Sequence, residues 1–300
     1  MIGQLPRREG NVYSAEINRN RRACLLLLID QSYSMSNKWA GADSSIAEEL
    51  ARAVNRLLGN AVMMCTKGGS KVHDYFEVGV IGYGLEVRPV LHGAGADRPL
   101  LPISELAENP RRLDTTLRKM PDGAGGIVEV PIKRPVWIDP QYNGKTPMVQ
   151  AFEAADQVIS KWCAEHRSSF PPIVINLTDG ESTDGDPSSA ADALRQNSTD
   201  DGATLVFNLH LSSNQWQQVV LPDTDAGLPD QFATRLFGMS SELPSAMLEG
   251  ASAYGLPVSP GARGFMYNAE ATRVIEFLDI GTRAVTPTGL KELTQGDSPN

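Results

Sequence analysis

Unbroken apolar runs alternate along the chain with stretches in which apolar residues recur at helical spacing. The run at 23–29 is fully apolar and the run at 173–177 is apolar except for Asn176, which predicts strands buried on both faces of a sheet. Between Ser44 and residue 58 the apolar positions follow a helical period, with Ser44 as the start and Gly59 as the stop. The alternation predicts an α/β fold, a doubly wound and mostly parallel central sheet with helices on both faces.

The predicted sheet has one antiparallel edge strand. Residues 75–83 have the composition of a strand, and Gly84 turns the chain into a second extended stretch at 85–91, which predicts a hairpin. The remaining pattern predicts helices at 148–162, 187–196, 232–239, 243–254 and 269–280, and strands at 203–209 and, as a short edge strand, 264–267.

The chain is expected to form one domain with a long insertion. The domain spans 21–283, between an N-terminal extension at 1–20 and a flexible C-terminal tail at 284–300. The insertion, at about 92–145, contains helical candidates at 103–108 and 111–119 and an extended stretch at 127–138. Long insertions beside a site are usually functional, so we expect this one to lie over the site that begins where it ends.

Composition excludes some classes of partner. The 300 residues are 41% hydrophobic and 21% charged, which is typical of a globular domain. A net charge of −9 argues against binding to nucleic acid or to an anionic membrane, since both need a basic face. Three cysteines without regular spacing and an N-terminus without an apolar signal region lead us to expect a cytoplasmic protein.

Oxygen-bearing side chains follow the two apolar runs. Asp30, Ser32 and Ser34 come directly after the first run, Asp179 comes after the second, and Thr146 opens a helix. Ligand sites in open parallel sheets lie beyond the carboxyl ends of the strands, so we expect these five side chains to converge. Carboxylates and hydroxyls are hard ligands that suit Mg²⁺, with Mn²⁺ or Ca²⁺ as alternatives.

Each part of this set also has a simpler interpretation. Asp-x-Ser-x-Ser is common in turns and helix caps, and Thr146 before Pro147 is typical helix-start chemistry. Gly144-Lys-Thr lacks the earlier glycine of a phosphate-binding loop, and the acidic stretch 179–186 lacks the ligand order of a calcium loop. The four histidines show no zinc-ligand spacing.

Taken together, Asp30-x-Ser32-x-Ser34, Thr146 and Asp179-Gly180 resemble the metal-ion-dependent adhesion site of von Willebrand factor A domains, over residues 20–282. The resemblance implies that Ser32, Ser34 and Thr146 bind the metal directly and that Asp30 and Asp179 act largely through water. It implies a non-enzymatic module whose metal captures an Asp or Glu carboxylate of a partner protein.

The resemblance extends to bacterial intracellular members associated with stress and tellurium resistance, which are often found with a kinase and a phosphatase. That family usually has Gly at the position of Tyr33. An aromatic side chain between two metal ligands is suited to an interface, so Tyr33 is expected to contact the partner, together with Lys145 and Glu181.

Two other functions stay open at this point. Asp30 at a strand end and a later Asp-Gly are also similar to haloacid-dehalogenase-type phosphatases, in which an Asp attacks phosphate beside Mg²⁺. In those enzymes the residue two places on is an acid or base Asp, and here it is Ser32, which argues against the reaction. The other alternative is a purely structural metal site, filled by a side chain of the same chain.

Overall fold

One central sheet and the helices that cover it organise the chain. The computed structural model describes residues 13–39, 42–66, 71–92, 97–121, 123, 126–211 and 217–268. The strands, in chain order, are β1 (Ala23–Asp30), β2 (Phe76–Tyr83), β3 (Val87–Pro89), β4 (Leu101–Pro102), β5 (Arg112–Pro121), β6 (Ile127–Val136), β7 (Ile173–Thr178), β8 (Ser198–Thr199), β9 (Gly202–Ala203), β10 (Leu205–His210), β11 (Val219–Val220) and β12 (Phe265–Tyr267). The helices are α1 (Ile46–Met64), α2 (Ile103–Glu108), α3 (Met148–Glu165), α4 (Ser188–Gln196), α5 (Gln231–Met239) and α6 (Ser245–Ala253), and a short 3-10 turn covers Tyr33–Ser36.

The strand order of the main sheet is β11-β12-β10-β7-β1-β2-β3, with β4 also paired to β2. The pairs β1–β2, β1–β7, β7–β10 and β10–β12 are parallel, and β3 is antiparallel to β2. The predicted α/β class, mostly parallel sheet and antiparallel hairpin edge are therefore confirmed. The structure adds β11, which is antiparallel to β12, so the strand predicted at 264–267 lies one place inside the edge.

Alternate residues of β1 pack into two separate hydrophobic cores, one on each face of the sheet. Leu25 and Leu27 belong to the core that includes α1, whereas Leu26 and Leu28 belong to the core that includes α3. All eight residues of β1 are buried. A strand covered on both faces favours apolar residues on both, which explains the unbroken apolar run from Ala23 to Ile29.

The connections leave β1 in opposite directions. The chain passes from β1 to β2 on one side and later returns to β7 on the other, so the order reverses at β1. At such a switch point the loops after two neighbouring parallel strands diverge and leave a crevice. Asp30 is the last residue of β1 and Thr178 is the last residue of β7.

The first helix extends beyond its predicted end. Its N-cap is Ser45, which forms a capping box with Glu48, and the helix continues through Gly59 to Met64. The predicted stop at Gly59 was wrong. A Cβ added to Gly59 would lie 3.8 Å from the ring of Trp137, an ordinary van der Waals distance, so the packing does not require glycine here and the helix continues through it.

The insertion contains a helix and a long antiparallel ribbon. The helix predicted at 103–108 and the extended stretch at 127–138 are confirmed. The helix predicted at 111–119 was wrong, because these residues form β5 and pair along their length with β6. At the base of the ribbon the side chain of Asn55 accepts hydrogen bonds from the N–H groups of Trp137 and Ile138 at 2.7 and 3.1 Å.

The first described residues lie against the body of the domain. Tyr13 packs on Phe170 with ring centroids 6.1 Å apart, and the N–H groups of Ser14 and Ala15 donate to the carboxylate of Asp201. The predicted helix at 269–280 and tail at 284–300 lie outside the described residues. Within the described ranges, every helix is too short or too polar to traverse a lipid bilayer.

Candidate metal centre

Asp30 is held at the end of β1 by two hydrogen bonds, one to each carboxylate oxygen. The N–H of Ser32 donates to Oδ1 at 2.8 Å, and the hydroxyl of Thr178 donates to Oδ2 at 2.6 Å. The residue is 1% exposed. These contacts follow from the parallel pairing of β1 with β7, which brings the ends of the two strands together.

A chain of close oxygen contacts continues from the first loop to the second. The hydroxyls of Ser32 and Ser34 lie 3.0 Å apart, and the hydroxyl of Ser34 donates to Oδ1 of Asp179 at 2.8 Å. Four of the five predicted ligands therefore belong to one connected group.

Thr146, the fifth predicted ligand, is buried in the loop before α3 and is tied by its backbone to the loop that follows β7. Its N–H donates to the hydroxyl of Thr183 at 3.0 Å, and its carbonyl accepts from the N–H of Thr183 at 2.9 Å. Two residues earlier, the carbonyl of Gly144 accepts from the N–H of Tyr33 at 3.1 Å. Backbone contacts thus tie the Thr146 loop to both of the other loops. We call residues 30–34, 144–146 and 178–183 the metal rim.

Gly144 has a backbone conformation that the rim requires. Its φ is +90°, and an added Cβ would lie 2.6 Å from the backbone nitrogen of Leu85. Both the angle and the close approach favour glycine over any other residue. The position of the Thr146 loop therefore depends on Gly144, which the sequence analysis considered only for helix-start chemistry and for a phosphate-binding loop.

The two carboxylates of the rim oppose each other's ionisation. Burial, and then the negative charge of Asp179, raise the pKa of Asp30 to about 7. Burial also raises the pKa of Asp179. Two carboxylates that share a buried site are stabilised as anions only if a positive charge joins them.

The oxygens of this group lie at hydrogen-bond distances from one another. The hydroxyl oxygens of Ser32 and Ser34 are 3.0 Å apart, and the Ser34 hydroxyl is 2.8 Å from Oδ1 of Asp179. Neighbouring ligands of an octahedral Mg²⁺, with Mg–O distances of about 2.1 Å, lie about 3 Å apart, so this group has room to hold a divalent cation. In the described part of the chain, no three His, Cys, Asp or Glu side chains lie close enough together to form a metal site.

The side chains predicted to contact a partner point outward. Tyr33 is 72% exposed, and both Lys145 and Glu181 are exposed. Tyr142 and Leu85 are also large and exposed, and they lie in the loops that contact the rim. A polar cleft of about 210 Å³ adjoins them and is lined by Gln31, Leu85, Glu86, Arg88, Gln141 and Asn143.

The sequence did not predict the supporting roles of Thr178 and Thr183 or the helix-capping roles of Asp184 and Asp186. Thr178 and Thr183 hold Asp30 and Thr146, yet both look like ordinary strand and loop residues in the sequence. In the acidic loop, Asp184 accepts from the N–H groups of Val149 and Gln150 at the start of α3. Asp186 accepts from the N–H of Ser188 at the start of α4, so both carboxylates serve helix starts.

Comparison with known proteins yields distant structural matches. No family model matches the chain, and no curated protein matches it. Proximal thread matrix protein 1 from the mussel byssus is 14% identical, with a TM-score of 0.44 over 89% of this chain and 49% of that one. A von Willebrand factor type A protein from Catenulispora acidiphila is 14% identical, with a TM-score of 0.44 over 88% and 43%.

A third solved structure, the manganese-loaded TRAP protein of Plasmodium vivax, is 14% identical, with a TM-score of 0.39 over 86% of this chain and 74% of that one. The chain spans less than half the length of the first two proteins. At this identity and overlap the likenesses carry no information about ligands or partners.

Proposed function

We propose that this protein is a metal-dependent protein-interaction module, an adaptor without catalytic activity. In this proposal the rim holds one Mg²⁺ and presents it to an Asp or Glu carboxylate of a partner protein. The observation that carries the proposal is the connected group of hydroxyl and carboxylate oxygens at the switch point of the sheet, where burial and then the charge of Asp179 raise the pKa of Asp30.

A bound divalent cation would supply one open coordination position to which a carboxylate is attracted. The residues of the chain determine that position. Ser32, Ser34 and Thr146 contribute neutral hydroxyls, which leave most of the charge of the ion uncompensated. Hydrogen bonds from Thr178 and from the N–H of Ser32 hold the Asp30 carboxylate in the interior of the domain. From there its negative charge would offset part of the charge of the cation without occupying the open coordination position.

The surface around the rim supports contact with a protein. Tyr33 and Leu85 are exposed on loops that meet at Gly144, and an aromatic group with a polar tip is suited to the centre of an interface. The neighbouring cleft, with Gln31, Arg88 and Asn143, can receive a polar side chain that flanks the partner's carboxylate. Lys145 and Glu181 would contact the partner at the periphery of this interface.

The geometry of Asp30 supports binding over phosphoryl transfer. A nucleophilic carboxylate needs an oxygen free to attack, whereas Asp30 is 1% exposed and accepts a hydrogen bond at each oxygen. Ser32 cannot act as a general acid near neutral pH. With Mg²⁺ and an aryl phosphate we expect no turnover above background. A rate that the wild type shows and Asp30→Asn lacks would favour the phosphatase.

The resemblance to intracellular bacterial members gives the proposal its setting. We place the protein in the cytoplasm of a bacterium, in a stress, tellurium-resistance or defence system, with an associated kinase and phosphatase as candidate partners. Its three cysteines are free and buried, as befits a reducing compartment.

Two measurements test the proposal together. Titration calorimetry on chelated protein should show one Mg²⁺ site that Asp30→Ala abolishes. Affinity capture from a bacterial lysate, with Mg²⁺ or with chelator, should recover a partner only when metal is present. A site that binds metal without any metal-dependent partner would indicate the purely structural alternative, and undiminished metal binding by Asp30→Ala would exclude the site itself.

A further inference from the structure

The ribbon formed by β5 and β6 is a large exposed feature that the metal centre does not use. Each strand has ten residues, and nearly all of them are exposed. Leu117 and Ile127 are 65% and 72% exposed, and Leu113, Met120, Val128 and Val130 are also exposed. A two-stranded ribbon with uncovered aliphatic side chains is marginally stable alone, so a covering partner would stabilise it.

The two outer edges of the ribbon differ because of proline. Pro121, Pro131 and Pro135 all fall in the same alternate set of cross-strand pairs, namely 121↔127, 117↔131 and 113↔135. Proline has no N–H to give to its neighbour, so this set is the one whose backbone groups point away from the ribbon. The outer edge of β6 therefore lacks donors at Pro131 and Pro135.

The outer edge of β5 keeps its donors at every outward position except its last residue, Pro121. Leu113, Thr115, Leu117 and Lys119 belong to the same outward set, and each has an N–H group. Among the described residues, no backbone hydrogen bond outside the ribbon engages these four amides. An open row of donors and acceptors of this kind accepts an added strand.

Side chains beside this edge differ between the two faces of the ribbon. One face presents Leu113, Thr115, Leu117 and Lys119, and the other presents Arg112, Asp114, Thr116, Arg118 and Met120. Arg112 is already paired with Asp114 and Asp139, which leaves Arg118 as the cation of β5 on that face that a partner can meet. Between residues 111 and 136 the sequence has six basic and three acidic residues, a net charge of +3 in a chain of net charge −9. An added strand with aliphatic side chains beside Leu113 and Leu117 and acidic side chains beside Arg118 would match both faces, since alternate side chains point to opposite faces.

We propose that the open edge of β5 binds an extended acidic segment of a partner protein, which joins the ribbon as a third strand with aliphatic and carboxylate side chains in alternation. The chain's own terminal segments, 1–12 and 284–300, do not have this alternation. Nucleic acid fits less well, because single strands bind through aromatic stacking and residues 112–136 contain no aromatic side chain. The proposal is independent of the metal centre.

The direct test uses a fluorescent peptide of alternating Glu and Val that equals β5 in length. Fluorescence anisotropy should show binding that weakens with added salt, that chelator does not alter, and that the matching Lys and Val peptide lacks. Thr115→Pro removes one outward donor and should weaken binding roughly tenfold, as expected for one or two lost main-chain hydrogen bonds. Glu129→Pro, on the edge already interrupted by proline, should leave binding unchanged.

A second variant controls for the case in which Thr115→Pro unfolds the ribbon. Arg118→Glu with Lys119→Glu keeps the backbone of β5 and should abolish binding of the acidic peptide. Equal binding by both peptides, or full binding by Thr115→Pro, would overturn the proposal. Absence of binding to the acidic peptide, or preferential binding of oligothymidylate, would also overturn the proposal. A dimer in sedimentation that Thr115→Pro dissociates would overturn it as well, because it would identify a second copy of the chain as the occupant.

Discussion

The hydroxyl of Thr178 donates a 2.6 Å hydrogen bond to Oδ2 of Asp30 from 148 positions away in the sequence. The contact joins the ends of β1 and β7 and fixes the rotamer of a carboxylate that has almost no exposure to solvent. Groups that orient a metal-binding carboxylate commonly contribute as much to affinity as a weak ligand does.

Thr178→Val should weaken Mg²⁺ binding by roughly 10–100-fold, because the substitution keeps the shape of the side chain and removes its hydroxyl. Titration calorimetry on chelated protein measures the change. Thr204→Val is the matched control, since Thr204 is equally buried and donates to the carbonyl of Asn197 away from the rim. Equal affinities for the two variants would show that Thr178 does not support the site.

The metal-free protein should be less stable at neutral pH than in mild acid. Burial and then Asp179 raise the pKa of Asp30 to about 7 in the folded state, whereas an unfolded Asp has a pKa of about 3.9. The folded state therefore holds the proton more tightly, and its stability falls as the pH rises from about 4 to about 7. Thermal unfolding in chelator at several pH values measures this dependence.

Mg²⁺ should reverse that trend, because the cation replaces the proton between the two carboxylates. We expect Mg²⁺ to raise the melting temperature more at pH 8 than at pH 5. Asp30→Asn should flatten the pH dependence of the chelated protein and abolish the response to Mg²⁺. A chelated wild type that is equally stable across this range would contradict the electrostatic account of the rim.

Tyr33→Gly should leave the fold and the affinity for Mg²⁺ unchanged and should weaken binding of the partner protein. Tyr33 is 72% exposed, so its removal changes the free energy of unfolding by about 0.5 kcal/mol at most. Loss of an interface aromatic anchor costs roughly 1–3 kcal/mol in binding. Calorimetry with Mg²⁺ and binding of the partner captured in the chelator experiment measure the two effects separately.

Tyr254→Gly provides the comparison for Tyr33, since Tyr254 is an exposed aromatic residue at the end of α6 and lies outside the rim. It should change neither metal nor partner affinity. If Tyr33→Gly lowers metal affinity, the side chain supports the rim structurally, and if it changes nothing, specificity resides elsewhere on the surface.

Gly144→Ala should lower both stability and metal affinity. The φ of +90° and the 2.6 Å approach to the Leu85 nitrogen force the loop to shift, at a cost of about 1–3 kcal/mol in the free energy of unfolding. Gly123→Ala is a control with a φ of +78°, where an added Cβ meets open space among the described residues. Denaturant unfolding and calorimetry of both variants separate backbone strain from crowding, and equal losses would assign the effect to strain alone.

The sequence predicts the sheet well because its strands are buried on both faces. Residues 23–29 of β1 are all apolar, so the place of this strand in a parallel sheet follows from composition. Four of the five predicted ligands follow for a related reason, since Asp30, Ser32, Ser34 and Asp179 lie at or just after the ends of such strands, whereas Thr146 precedes a helix. Residues 111–119 were misassigned because a tertiary contact, the pairing of β5 with β6, decides their conformation.

The supporting hydrogen bonds could not be predicted in the same way. Thr178 and Thr183 have no sequence signal that separates them from other threonines, and their role depends on contacts across 148 and 37 positions. Asp184 and Asp186 resemble members of an acidic metal loop in the sequence. Only the position of the α3 and α4 starts shows that both carboxylates already accept backbone hydrogen bonds.

The unequal edges of the β5–β6 ribbon limit how far any association can spread. Strand addition at an edge normally exposes a fresh edge, and repeated addition builds fibres. Here Pro131 and Pro135 interrupt strand addition at the outer edge of β6, so under the proposal a strand adds at the β5 edge only. A ribbon with one open edge can keep aliphatic residues exposed for a partner strand. Because its other edge does not accept a strand, copies of the protein would not polymerise through the ribbon.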